Sequence, residues 1–343
     1  MSQAQADAIH DRYRKNFAGR SRATRDLAQL DALITESERL LAVTSGAESA
    51  TVSERLALYR GERGEIAAIQ NGGPAVLAAW NAVEWSELGF NRYRRHFAGQ
   101  NRTTRDLGLL GEMAAEERKN LAAFPAATDE RLTARKAQLE ANLKLFEAEL
   151  KAIPDARAQQ APNEQARALA SAANAQFEHW RRFFDGKPRV TRRPALLERM
   201  IDTLENVRSR MIAVREMGVN SDAHAANITM VTERIAHFRG ELEKITSARA
   251  QVGGAELARR LGDEANAVFA AYRTEYSGKP RTAADPARLS NLNDDLQEIA
   301  RVMRLLSDER PLEQNTKNLG IVLDHLKMTE REHAAIVEAR GKK

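Results

Sequence analysis

The sequence predicts an all-α protein, a tandem array of four three-helix units of up-down type, about twelve helices in all with coiled-coil-type seams. One short stretch occurs four times: aromatic, Arg, two variable residues, aromatic, any residue, Gly, two variable residues, Arg, then a Thr-Arg-Asp-like tail. Its glycines, Gly19, Gly99, Gly186 and Gly278, lie 80, 87 and 92 residues apart. That spacing is too long for a two-helix repeat and suits three helices of about 20 residues with their turns. The composition agrees, with 43% hydrophobic, 5% aromatic and 29% charged residues, the balance of helical bundles. Apolar residues recur in steps of three and four along the segments between the corners. The units are expected at 1–72, 73–156, 157–252 and 253–343.

Each unit opens with a helix A that ends at the repeated stretch. Val76, Val83, Phe90 and Phe97 are seven apart and share one face. The aromatic pairs Tyr13 and Phe17, Tyr93 and Phe97, Trp180 and Phe184, and Tyr272 and Tyr276 are four apart. This spacing points the rings inward, to close the end of a helical core. The four glycines stand where the chain leaves helix A, because only Gly takes a left-handed conformation there without a Cβ clash.

Helix B begins in the tail of the stretch. Thr24, Thr104 and Thr191, or the aspartates Asp26, Asp106 and Asp285, are positioned to cap its free N–H groups, and Pro194 and Pro286 fit a first turn. Its seam is clearest in Leu197, Met200, Leu204, Val207, Met211 and Val214 and in Leu289, Leu292, Leu296, Ile299, Met303 and Leu306. Helix C follows a short break, with a seam such as Val231, Ile235, Phe238, Leu242 and Ile245. The returns to the next helix A pass Gly72-Gly73-Pro74, the stretch from Pro154 to Pro162, and Gly253-Gly254. Those residues read as hinges or turns, against one helix continuous through two units. Hairpins there give a compact slab and bends give a rod. The fourth unit, the most worn copy, reads as a terminal cap.

Charge is segregated. The four copies together carry +13 and the rest of the chain −8. The contact candidates among the copies' basic residues are Arg14, Arg22 and Arg25; Arg94, Arg102 and Arg105; Arg181, Arg189 and Arg192, with Lys187; and Arg273 and Arg281. Two readings are open for them. They cap the carbonyls that end helix A and pair with an acid on helix C, or they present a cationic fork to phosphates or to a neighbouring protein.

Catalytic signals are weak. The chain has no cysteine, which removes thiolate chemistry and disulfides. Glu330 and His333 form an isolated Glu-x-x-His, where a helical di-iron site needs two such pairs and two further carboxylates. Asp222 with His224 and Asp324 with His325 read as surface pairs. No cofactor is implied. A polar amino terminus and the absence of a long apolar run predict a chain without a membrane span, in the cytoplasm. The expected function is therefore a non-enzymatic structural or scaffold protein. It acts through contacts with other protein chains and self-assembles through basic corners and acidic helix faces; the alternative is a polyanion binder, nucleic acid included.

Overall fold

A computed structural model of the chain describes residues 2–17, 22–126 and 130–341. Among these the secondary structure is helical throughout, with eleven α-helices: α1 Ser2–Phe17, α2 Leu27–Leu41, α3 Gly46–His96, α4 Leu107–Ala122, α5 Glu130–Ala158, α6 Pro162–Phe183, α7 Pro194–Glu216, α8 Asp222–Ala250, α9 Gly254–Tyr276, α10 Pro286–Glu309 and α11 Glu313–Gly341. None of the described helices is long and apolar enough to cross a membrane. Four 3-10 turns, Arg22–Thr24, Arg102–Thr104, Arg189–Thr191 and Arg281–Ala283, occupy the tails of the repeated stretch.

The count falls short of twelve because the hinge expected at Gly72-Gly73-Pro74 is a kink inside α3 and not a break. Gly73 has φ 74° there, a left-handed value that glycine tolerates, and it precedes a proline that cannot donate to the helix. Pro154 does not break α5 either; the helix carries on to Ala158, and the interruption is confined to residues 159–161. The threonines of the repeated stretch belong to the 3-10 turns. Asp26, Asp106 and Asp285 are the side chains that cap α2, α4 and α10, each accepting from a first-turn N–H.

Local cores form where the seams meet. α1, α2 and the first part of α3 enclose Tyr13, Phe17, Leu30, Tyr59 and Ile66. The end of α3 packs with α4 and α5 around Phe97, Leu110, Met113 and Phe146. α6, α7 and α8 share the largest cluster, from Leu169 to Ile245. α9, α10 and α11 pack together and also receive Trp85 and Leu88 from α3.

These cores do not follow one another along a rod. The first quarter of the chain meets the last, with Lys327 Nζ 2.8 Å from Glu84 and Arg25 Nη2 3.6 Å from Asp324. At the centre lies α10, whose buried residues include polar Asn293, Asp294, Gln297, Glu298 and Arg301 as well as its leucine seam. Side chains from α3, α4, α6, α9 and α11 all reach it. The fourth copy of the stretch thus leads into the most enclosed helix, the opposite of a terminal cap.

Candidate functional site

The four corners share one geometry. The two aromatics of each stretch stack, with ring centroids 5.6 Å apart for Tyr13 and Phe17, 5.4 Å for Tyr93 and Phe97, 5.2 Å for Trp180 and Phe184 and 5.9 Å for Tyr272 and Tyr276. A third ring from a later helix joins three of them: Tyr59, Phe146 and Phe238 lie 4.9, 5.3 and 4.7 Å from Tyr13, Tyr93 and Trp180. All but Tyr93 of the eight corner rings are buried. After them the chain turns through Gly99, Gly186 and Gly278, with φ of 74°, 69° and 73°. The turns are closed by Gln100, Lys187 and Lys279 N–H groups donating to the carbonyls of Phe97, Phe184 and Tyr276. Glycine occupies the third position of each turn, the one that requires positive φ. Gly19 and Arg20 lie outside the described residues.

The arginine three residues after the glycine clamps a glutamate on the third helix of its set. Arg102 gives Nε and Nη2 to Glu149 at 3.2 and 2.8 Å. Arg189 does the same to Glu241 at 3.2 and 3.2 Å, and Arg281 to Glu332 at 3.1 and 3.0 Å. Arg22 reaches Glu62 at 3.3 Å and continues to Glu84 at 2.5 Å. The second arginine, Arg25, Arg105 or Arg192, bonds the same glutamate from the other side. Arg105 and Arg192 also donate to the carbonyls of Gln100 and Lys187, just after the glycine. In the fourth copy Ala284 stands at this position and Glu332 keeps one clamp.

A second polar residue on the same helix completes each corner. Gln70, Arg157, Arg249 and Arg340 donate to the carbonyls of Arg25, Arg105, Arg192 and Ala284 at 2.6, 2.6, 3.4 and 3.0 Å. The third helix therefore carries its own recurring pattern: aromatic, two residues, Glu, three residues, Ile, three residues, Gln or Arg. It reads Tyr59, Glu62, Ile66, Gln70; Phe146, Glu149, Ile153, Arg157; Phe238, Glu241, Ile245, Arg249; and, with Thr for the aromatic, Thr329, Glu332, Ile336, Arg340. All four isoleucines are fully buried. An acid on helix C was expected, but these glutamates were not singled out; the fixed eight-residue step to the Gln or Arg was the signal that could have found them.

The clamps set the electrostatics. Hydrogen bonds from Arg189, together with Lys244, hold the Glu241 carboxyl down at about 2. Arg102 does likewise for Glu149. Burial pushes Glu62 up, but Arg22, Lys327 and Arg25 outweigh it and keep the group below its ordinary value. Charge-assisted, two-point bonds of this kind are the stronger sort of protein hydrogen bond.

Two of the contact candidates are withdrawn from the surface. Arg22 and Arg25 are 7% and 5% exposed, held by the glutamates just named, so a surface partner would have to break buried pairs to reach them. Arg105 and Arg192 are half-buried. Arg102, Arg189 and Arg281 keep 50%, 48% and 42% of their side chains exposed behind their clamps. Lys187 lies near Asp295 and the ring of Phe183. Arg14, Arg94, Arg181 and Arg273 are exposed. Of these, Arg14 and Arg273 lie over the ring of Phe269, and Arg181 pairs with Glu178 one turn away.

Beyond the corners lies a charged network with no counterpart in the repeat. Arg193 stands where the other copies have Asp. It is buried and joins Glu112 of α4, at 2.5 Å, to Glu298 of α10. Arg301 holds Glu116 through two bonds of 2.8 Å. Asp294 receives Arg95 at 2.7 Å and His96 at 2.8 Å, and Arg95 also pairs with Glu330. Burial opposes the charge of Asp294, yet Arg95 and His96 hold it well below the usual carboxylate range. Glu330 is thus engaged in an ion pair. Of the other acid and histidine pairs, Asp222 is exposed, but its histidine and the pair Asp324 and His325 are withdrawn from the surface. His224 is buried with Nε2 2.8 Å from the Met211 carbonyl, and His325 stacks on Phe269. Among the described residues no His, Asp and Glu cluster has the makings of a metal site.

No protein-family model matches the chain, and comparisons with curated proteins and with solved structures likewise find no match.

Proposed function

We propose that the chain is a non-enzymatic helical-repeat scaffold, four tandem three-helix units at 1–72, 73–156, 157–252 and 253–343, working through contacts with other protein chains. The observation that carries this reading is the use made of the repeated polar residues. Eleven arginines recur across the four copies of the stretch, and those after the glycine serve to close corners by holding glutamates of α3, α5, α8 and α11. A motif given over to architecture suits a protein whose product is a shaped surface. The kink at Gly73 and the break before Gly254 support the first and third boundaries, while α5 runs two residues past the second, to Ala158, before the break at 159–161.

Self-assembly is part of the proposal, with a changed set of residues. The complementarity of basic corners and acidic helices is largely satisfied inside one chain, so contacts between copies fall to the outward arginines, Arg94 and Arg181 above all. Light scattering on nuclease-treated protein tests this. Mass that grows with concentration, reverts at high salt and stays monomeric in an Arg94→Glu, Arg181→Glu variant of unchanged helicity supports it. A monomer under all conditions overturns it.

Polyanion binding is the second reading, favoured by the open faces of Arg102, Arg189 and Arg281. A steep loss of affinity for an oligonucleotide as salt rises distinguishes it.

A further inference from the structure

A cleft of about 460 Å³ opens between α4, α5, α6 and α7, within the range of small-molecule sites. Its lining mixes apolar and small residues, Leu107, Leu150, Val207, Gly111, Ala172 and Ala175, with polar ones such as Gln176, Thr203 and Asn206. Three arginines line it, Arg105, Arg157 and Arg199. The aspartates present are Asp106 and Asp202, and Asp106 is already engaged, accepting from the Leu109 N–H at 3.0 Å and from Gln176 at 2.8 Å.

The cations around this cleft are incompletely matched. Arg157 is 6% exposed, and its bonds go to the neutral carbonyls of Thr103 and Arg105. Burial and the nearby Arg210 act against its charge, and Asp106 offsets them only in part. Arg199 has only Glu112 within reach, at 3.6 Å. The Nε groups of Arg105 and Arg199 are buried without an acceptor. A buried cation lacking a counter-charge is costly, and an anion placed beside it removes the cost. We propose that this cleft binds a small organic anion, a carboxylate or phosphate on a compact apolar body, with the oxyanion at Arg157 and Arg199 and the body against Leu150 and Val207. The inference does not depend on the scaffold reading: the cleft lies at the junction of α4–α7 and shares only the second corner's residues, Arg105 and Arg157 among them.

The test is calorimetry with benzoate and phenyl phosphate as probes and with phenol and inorganic phosphate as controls. Two variants accompany it. Arg199→Gln removes a charge near the mouth. Gly111→Leu fills the cleft; a Cβ at Gly111 meets nothing within 4 Å, and a helical Gly→Leu change favours the fold. Expected is saturable binding of an organic anion, at least about tenfold tighter than either control. That binding should weaken by about tenfold in Arg199→Gln and vanish in Gly111→Leu, whose melting temperature is not lowered. No saturable binding of either organic probe overturns the proposal. So does equal binding of inorganic phosphate, or binding that survives Gly111→Leu, either of which marks an adventitious ion only.

Discussion

The corners and the buried face of α10 are made of the same two residue types, and they do different work. At a corner, arginines clamp a glutamate on whichever of α3, α5, α8 and α11 packs beside them, a local set of helices, and the arrangement recurs with the motif. Around α10, Arg193, Arg301 and Arg95 join acids across sets, as Lys327 of α11 does with Glu84 of α3, and each pair occurs once. The recurring pairs close each set on itself. The unique pairs decide how the sets stand against one another, since a misplaced set would leave several buried charges without partners. Buried ion pairs add little net stability over a well-packed apolar interface, yet they penalise wrong arrangements heavily.

The comparison is broken most severely at its centre. Arg193→Met removes the cation that bridges buried Glu112 and Glu298 and leaves each with a more distant arginine, Arg199 and Arg301, both at 3.6 Å. The expected loss is about 3–5 kcal/mol in urea unfolding. Adding Glu112→Gln and Glu298→Gln to that variant should recover part of it; a triple variant no better than the single one would show that packing, and not charge, carries the effect.

Acid should sharpen the contrast. Glu84 is pushed up by burial but held at about 2 by Arg22 and Lys327, against an ordinary value of 4.5. Its contribution is therefore present above 4.5 and is lost as the pH falls towards 2. Glu65, Asp324 and Glu330 are raised by burial, so they take up protons earlier and their protonation relieves a cost. Stability measured by chemical unfolding should hold or rise slightly from neutrality to about pH 5 and then fall steeply.

At the corners the effects shrink. Glu241→Gln weakens bonds to Arg189, Arg192 and Lys244 but leaves its partners near solvent, and about 1–2 kcal/mol is expected. Gly186→Ala, where a Cβ finds open space and only the φ of 69° resists, should cost about 1 kcal/mol by thermal unfolding. Arg94→Ala, on an exposed turn of α3, should stay within about 0.5 kcal/mol.

What could be read in advance follows the same division. The corner rings, the positive-φ glycines and the aspartate caps were visible because each demands particular residue types at fixed steps. The clamped glutamates were present in the sequence but camouflaged, since Glu62 and Glu65, Glu147 and Glu149, and Glu330 and Glu332 sit in acidic helices that look uniformly solvated. The network around α10 was not legible. Asp294, Glu298 and Arg301 fall at helical spacing on a charged face, and such a face ordinarily points to water. Only the tertiary arrangement turns it inward. Arg193 gave the one hint, as the copy that replaced Asp with a cation, and α3 concealed the other junction by continuing through its glycines.

The helix on which α4, α6, α9, α11, the N-cap of α7 and the end of α3 converge is the tenth of eleven in chain order. A ribosome adding about 5–20 residues per second reaches Pro286 roughly 15–60 s after starting. Throughout that interval the earlier helices can close their own corners, while Glu112, Glu116 and Arg95 wait in water for partners not yet made. Final assembly thus waits on the arrival of one helix, and until then the nascent chain carries hydrated charges where the finished protein has its centre.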